Sequence, residues 1–213
     1  MPAFWRQSAT ALLLSTLMIS CVSKPVNEAD PKEMYEDAEV DIEGNRYLLA
    51  LDKLRVVRSK FSYSNYGALA QLRIGDVYFL QDSFPEAAVA YEGFYELYPK
   101  HAKAPYALFR AGEAHYSDIP TTIARDLKSA ENAIQWFGTY LSRYPRGEYS
   151  DRAQELRQRA YDKLAEKELD TAKFYLKRKK NPAARGRLEK LLELYPGSSF
   201  ADQARELLEG LPE

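Results

Sequence analysis

The sequence predicts an all-α chain, a right-handed solenoid of about five helical hairpins. Two observations carry that expectation. Three Tyr-Pro pairs, Tyr98-Pro99, Tyr144-Pro145 and Tyr195-Pro196, each close an amphipathic segment, and the β-favouring residues fall at helical spacing with no alternation. Composition adds a third. Of the 213 residues 46% are hydrophobic, enough for a core, and 30 Lys and Arg stand against 31 Asp and Glu.

The repeat can be followed along the chain. Upstream of Pro99, the positions Ile74, Gly75, Tyr78, Ala87 and Tyr91 match the tetratricopeptide pattern of a large residue, Gly, Tyr, Ala and an aromatic before the closing Pro. Small Gly75 and Ala87 let two antiparallel helices approach, Tyr78 and Tyr91 fill the space around them, and Pro99 cannot continue the second helix. Counting back from Pro145 gives Ala133 and Phe137 the same roles; counting back from Pro196 gives Ala184, Leu188, Tyr175 and Ala172. In the first repeat Ser62 replaces the proline, which yields Ala50, Leu54 and Ala38 and starts the array near Met34.

Two irregularities are expected. Gly112 to Pro145 is nine residues longer than Gly75 to Pro99, and the excess falls at Ser117 to Arg125, where Asp118, Pro120 and two Thr mark an inserted loop. From Tyr149 to Lys180 there is neither Gly nor Pro, so the segment forms either one helix of about 48 Å or two meeting near Lys167. The 51-residue spacing from Pro145 to Pro196 favours one helix shared between two repeats. A last helix, Ser199 to Leu208, has Ser199 as its candidate N-cap. The repeat domain is thus expected over residues 33–213.

Ahead of it, Arg6 is the only charge before Lys24, and Ala9 to Ile19 is an apolar run. Its length suits a signal peptide and is too short for a membrane-spanning helix, which needs about 20 residues. Residues 1–20 therefore read as a leader. Met18-Ile19-Ser20-Cys21 resembles the lipobox of bacterial lipoproteins, which implies cleavage before Cys21 and acylation of that cysteine. Val22, in place of an Asp, favours the outer membrane by the same resemblance. Residues 21–32, with Pro25, Pro31, Ser23 and Asn27, read as an anchored tether reaching about 20 Å. The result is a lipid-anchored protein at the periplasmic face.

Several function classes drop out. A net charge of −1 offers no broad electrostatic footprint for nucleic acid. One Cys and two His, His101 and His115, exclude a disulfide scaffold and a Cys/His zinc site. The sequence has no G-x-G-x-x-G, P-loop, H-E-x-x-H or G-x-S-x-G, so no enzyme, cofactor or metal is expected. Partner binding along a groove and helix edges remains. Two stretches invite such a role. Lys177-Arg178-Lys179-Lys180 is either a partner patch or a cationic helix end suited to the dipole. Phe61, Tyr63, Asn65 and Tyr66, in a turn between repeats, either seal the core or capture an extended peptide with aromatic residues at its end.

Taken together, the lipobox, tether and five repeats resemble the BamD family of outer-membrane assembly lipoproteins. The resemblance covers residues 21–208 and rests on Met34-Tyr35-Glu36-Asp37-Ala38, the junction Lys60-Phe61 to Asn65-Tyr66, the inserted third repeat with Arg125-Asp126, and above all the stretch from Leu164 through Ala172-Lys173-Phe174-Tyr175 to Ala184-Arg185-Gly186-Arg187. It implies a non-enzymatic component of the β-barrel assembly (BAM) complex with several partners. These are a BamA-like β-barrel protein with POTRA domains, other assembly-machine lipoproteins and unfolded outer-membrane proteins. It implies substrate-peptide binding at Phe61, Tyr63, Asn65 and Tyr66, and contact with the BamA-like partner at Phe174, Arg185 and Arg187. This sequence departs from the family in reading Phe61-Ser62 for Tyr-Pro, and in carrying Gly93 and Glu96 where some members have basic residues. The alternative is another periplasmic repeat lipoprotein, a secretin pilotin or a cell-wall coordinator, groups that lack the Leu164 to Arg187 stretch.

Overall fold

A computed structural model describes residues 26–212; the expected leader 1–20 and Cys21 lie outside the described residues. Within them there are nine helices and no strand. They run α1 (Pro31–Glu43), α2 (Tyr47–Lys60), α3 (Asn65–Leu80), α4 (Phe84–Leu97), α5 (Ala104–Ser117), α6 (Lys128–Arg143), α7 (Ser150–Lys177), α8 (Asn181–Leu194) and α9 (Ala201–Glu209). Each packs mainly on its sequence neighbour, as a one-dimensional repeat array must.

The helix ends repeat as closely as the helices. Phe61, Tyr98, Tyr144 and Tyr195 follow α2, α4, α6 and α8 with φ between −123° and −131° and ψ between 38° and 62°. In each case the carbonyl of the aromatic accepts from the N–H three residues on: Ser64, His101, Gly147 and Ser198. Phe61-Ser62 therefore turns the chain as the Tyr-Pro pairs do, and the ring matters more than the proline. Proline instead marks helix starts, in the first turn of α1, α4, α5 and α8, where its missing N–H costs nothing.

Glycine is needed where two helices touch. A Cβ on Gly75 would lie 2.8 Å from the Tyr91 ring, and one on Gly112 would lie 2.7 Å from Phe137. Those aromatics are wholly buried, so the second-repeat pattern recurs in the third.

Three cores result. The N-terminal one gathers Ala38, Leu54, Val57 and Ile74. The central one is built on Tyr91, Phe94, Leu108, Phe137 and Tyr140 and extends along α7 to Leu164. The C-terminal one begins at Ala165, one residue later, and adds Leu169, Ala172, Leu188 and Leu191. The 28-residue α7 is continuous, about 42 Å long, and belongs to two cores at once. The nine helices thus contain ten helical units.

Two boundaries differ from expectation. The fold begins at Pro31, inside the expected tether, because Asp30 Oδ1 accepts the Lys32 N–H at 2.8 Å and caps α1. Ser199 does not cap α9: the helix starts at Ala201, and the Ser199 N–H is taken by Asp162 Oδ1 of α7 at 3.0 Å. The expected insertion is a loop of residues 118–127 between α5 and α6. Lys167 of α7 holds it by donating to the Arg125 carbonyl at 2.7 Å.

Candidate protein-interaction sites

The α2–α3 turn divides its four singled-out residues. Phe61 and Tyr66 are partly buried against the N-terminal core, where the Tyr66 ring lies 5.8 Å from that of Tyr35. Tyr63 is fully exposed, at 105% of its reference surface. Asn65 is exposed, its Oδ1 3.1 Å from His101 Nε2 in the next turn. Two aromatics thus seal the repeat junction, and Tyr63 and Asn65 face outward. Gly67 lets this turn close, since a Cβ there would sit 2.2 Å from the Phe61 carbonyl oxygen.

Between them, α2, α3 and α4 frame a cavity of about 480 Å³ lined by Arg55, Arg58, Ile74, Tyr78 and Val89. Buried Gln71 spans it, donating to the Ala90 carbonyl at 2.8 Å and accepting from Arg58 at 3.0 Å. Deeper in the repeats a polar ladder ties α1, α3, α4 and α5 together. Arg73 forks onto Glu39 through Nε and Nη2, and Asp76 Oδ1 accepts from the hydroxyls of Tyr91 (2.7 Å) and Tyr106 (2.8 Å). The Arg110 guanidinium reaches the Tyr91 oxygen and lies 3.9 Å from the Phe79 ring centroid. Burial, with the Asp76 charge beside them, pushes both hydroxyls far above the usual phenol value, so they remain donors. The ladder is satisfied internally and reads as structure.

At the other end, Arg187 and Lys190 on α8 converge on Glu168 of α7. Arg187 Nη1 is 3.0 Å from Oε2 and Lys190 Nζ is 2.5 Å from Oε1. Burial by itself would raise the Glu168 carboxyl, but the hydrogen bonds from Lys190 and Arg187 outweigh it and hold the group below the usual carboxylate range. The cationic ends stay close to half exposed while the carboxylate is nearly covered. One guanidinium and one ammonium group are thereby held by a single buried acid while remaining accessible from outside. Sequence reading missed Glu168, although its place in the stripe Leu164, Ala165, Leu169, Ala172 was a signal: a lone acid on a buried face needs a cation.

The other two expected contact residues lie in separate surroundings. Arg185 donates to the Pro212 carbonyl at 3.1 Å, next to a cavity with Lys179, Asn181 and Glu189. Phe174 is 46% exposed, lines a cavity with Ile123 and Ala124 of the inserted loop, and carries the Arg178 guanidinium 4.0 Å over its ring. Of the basic run 177–180, Arg178 follows the C-terminus of α7 and Lys179 takes a left-handed turn at φ 57°, so the run terminates the helix. Among the described residues no group of His, Cys, Asp and Glu could hold a metal, and no helix is long and apolar enough to cross a membrane.

The family model YfiO, described as outer membrane lipoprotein, matches residues 27–210. The chain belongs to the YfiO family. Its YfiO relatives include the outer membrane protein assembly factor BamD of Vibrio cholerae, 28% identical over 94% of this chain and 88% of that protein. BamD of Pasteurella multocida is 26% identical over 95% of this chain and 82% of its own length, and BamD of Neisseria meningitidis serogroup A is 25% identical over 84% and 70%. The family resemblance drawn from the sequence thus agrees with the family match and with relatives from three genera.

Proposed function

We propose that this YfiO-family chain is a non-enzymatic, lipid-anchored outer-membrane protein assembly factor. It scaffolds a BamA-like subunit at its C-terminal end and receives unfolded barrel proteins at its N-terminal repeats. The observation that carries the reading is the family match over residues 27–210, together with relatives named for outer membrane protein assembly. The anchor is Cys21, whose acyl chains insert into the outer membrane's inner leaflet.

The scaffold contact centres on Arg187, and Phe174 and Arg185 add contacts from their own separate surroundings on the same C-terminal end. Its chemistry supports that role: a guanidinium oriented by a buried carboxylate loses little freedom when a partner acid engages it. Substrate reception falls on the α2–α3 turn. Tyr63 and Asn65 offer a ring and an amide to an extended aromatic-ended segment, while Phe61 and Tyr66 hold the turn in shape.

Mild-detergent purification of the chain from its own envelope, with mass spectrometry of what stays bound, tests this. A POTRA-bearing β-barrel protein recovered in near-equal amount is the expected result. Recovery of a secretin or a cell-wall synthase in its place would overturn it.

A further inference from the structure

The hairpin topology puts the ends of α2, α4 and α6 and the starts of α3, α5 and α7 along one edge of the solenoid. Contacts between successive turns make that edge continuous. The Tyr98 hydroxyl reaches the Ser62 carbonyl at 3.4 Å and His101 meets Asn65, while Ala102, Lys103 and Pro105 share a cavity with Tyr144, Gly147 and Glu148.

Charge on this edge is cation-rich. Lys60, Lys100, Lys103 and Arg146 are all exposed, and among the described residues none forms an ion pair with a carboxylate. Glu148 is the one acid within the three turns 61–64, 98–103 and 144–149, and exposed Glu96 and Asp151 flank them on the adjoining helix ends. The three turns at the opposite edge, 44–46, 81–83 and 118–127, hold Asp82, Asp118 and Asp126, with Arg125 and an Arg46 already bound to Asp41. Apolar groups stand among the free cations: Tyr63 fully exposed and Leu97, the last residue of α4, at 68%.

The chain also enters the fold here. Lys60 Nζ donates to the Glu28 carbonyl at 2.7 Å, so the end of the tether is fastened to this edge. Cys21 lies seven residues before Glu28, a stretch that spans at most about 25 Å when fully extended.

We propose that this edge docks on the surface of an anionic phospholipid leaflet. Lys60, Lys100, Lys103 and Arg146 meet lipid phosphates, and Leu97 and Tyr63 sit at headgroup level. The proposal rests on the anchoring read above and adds an orientation to it. A tether this short limits which surface can reach the membrane, and an edge rich in unpaired cations is the one whose approach a negative leaflet favours. Glu28, Asp30 and Glu33 near the tether oppose the attraction and confine it to the second and third turns and Lys60.

The test uses the acylated full chain in vesicles of phosphatidylcholine and phosphatidylglycerol whose acyl chains carry bromine, a short-range quencher of tryptophan. Tyr63→Trp reports this edge and Glu43→Trp the opposite one, each read above the parent chain. Quenching several-fold stronger at position 63 is expected. The difference should vanish in vesicles of phosphatidylcholine alone, and when Lys60, Lys100, Lys103 and Arg146 are together changed to Glu in a chain whose circular dichroism is unaltered. Equal quenching at both positions in protein that floats with the vesicles overturns the docking edge and leaves the anchor intact. A difference that survives the fourfold charge reversal overturns the phosphate contact. Protein that stays in the aqueous phase overturns the anchoring, and the orientation with it.

Discussion

Gly75 on α3 and Tyr91 on α4 are in such close contact that an added methyl would stand 2.8 Å from the tyrosine ring. The same relation joins Gly112 to Phe137 one repeat later, so two successive helix pairs owe their spacing to a missing side chain. Both aromatics are fully buried, where close packing resists their displacement.

Gly75→Ala should therefore destabilise the chain by about 1–3 kcal/mol through overpacking, despite the better helix propensity of alanine. Gly186→Ala is the control, since nothing lies within 4 Å of its Cβ position. It should stabilise by about 0.5–1 kcal/mol. Urea unfolding of the two variants against the parent measures both, and equal behaviour would refute the contact.

Asp76→Ala removes the acceptor shared by Tyr91 and Tyr106 and one carboxylate facing Arg73. The hydroxyls of one buried and one partly buried tyrosine would lose their acceptor, at a cost of about 1–3 kcal/mol in total. Tyr106→Phe, which removes a single donor, should cost about 1 kcal/mol. Thermal unfolding of the two variants gives the comparison.

Tyr63→Ala and Phe61→Ala separate binding from folding. The exposed Tyr63 ring should leave stability within about 0.5 kcal/mol of the parent. Its loss should still weaken binding of an aromatic-ended barrel peptide in a fluorescence-anisotropy titration. Phe61, packed on the N-terminal core, should lose both stability and binding.

Arg187→Ala should weaken association with the BamA-like partner by about 1–2 kcal/mol, read by co-purification yield or calorimetry, with a partial loss of stability because only Lys190 then pairs with Glu168. Glu168→Gln should produce a weaker version of the same defect, because the amide no longer holds Arg187 and Lys190 by charge.

The same carboxylate gives a pH dependence. Its folded-state value lies below the unfolded one, so its contribution is fully present above the unfolded carboxylate range and is lost as pH falls through the lower, folded value. The C-terminal hairpin should thus hold through neutral pH and loosen only below about pH 4. Hydrogen exchange along α8, followed from pH 7 to 3, should show protection falling in the parent and hardly changing in Glu168→Gln.

Much of this fold was legible because its punctuation is steric. Tyr-Pro pairs, Gly75, Gly112 and the alanine positions mark where helices must end or touch, and such constraints survive in a single sequence. The misses have local causes. Pro31 stands in linker-like composition yet opens α1, as proline can, and Ser199 has the residue type of a cap yet gives its N–H to Asp162, 37 residues away. The sites were less legible. Nothing in Phe61-Ser62-Tyr63-Ser64-Asn65-Tyr66 says which rings face the core, and Arg187 becomes interpretable only when a turn brings α8 back along α7 to Glu168.

The shared helix has a mechanical consequence. One set of α7 side chains is clamped in the central core and the next, beginning a single residue later, in the C-terminal core, with no glycine or proline between them. The region between is a strut with no hinge, so a pull applied at α8 cannot be absorbed by the last repeat tilting alone. Such a load is carried along α7 into the central repeats, because the two cores share one unbroken helix.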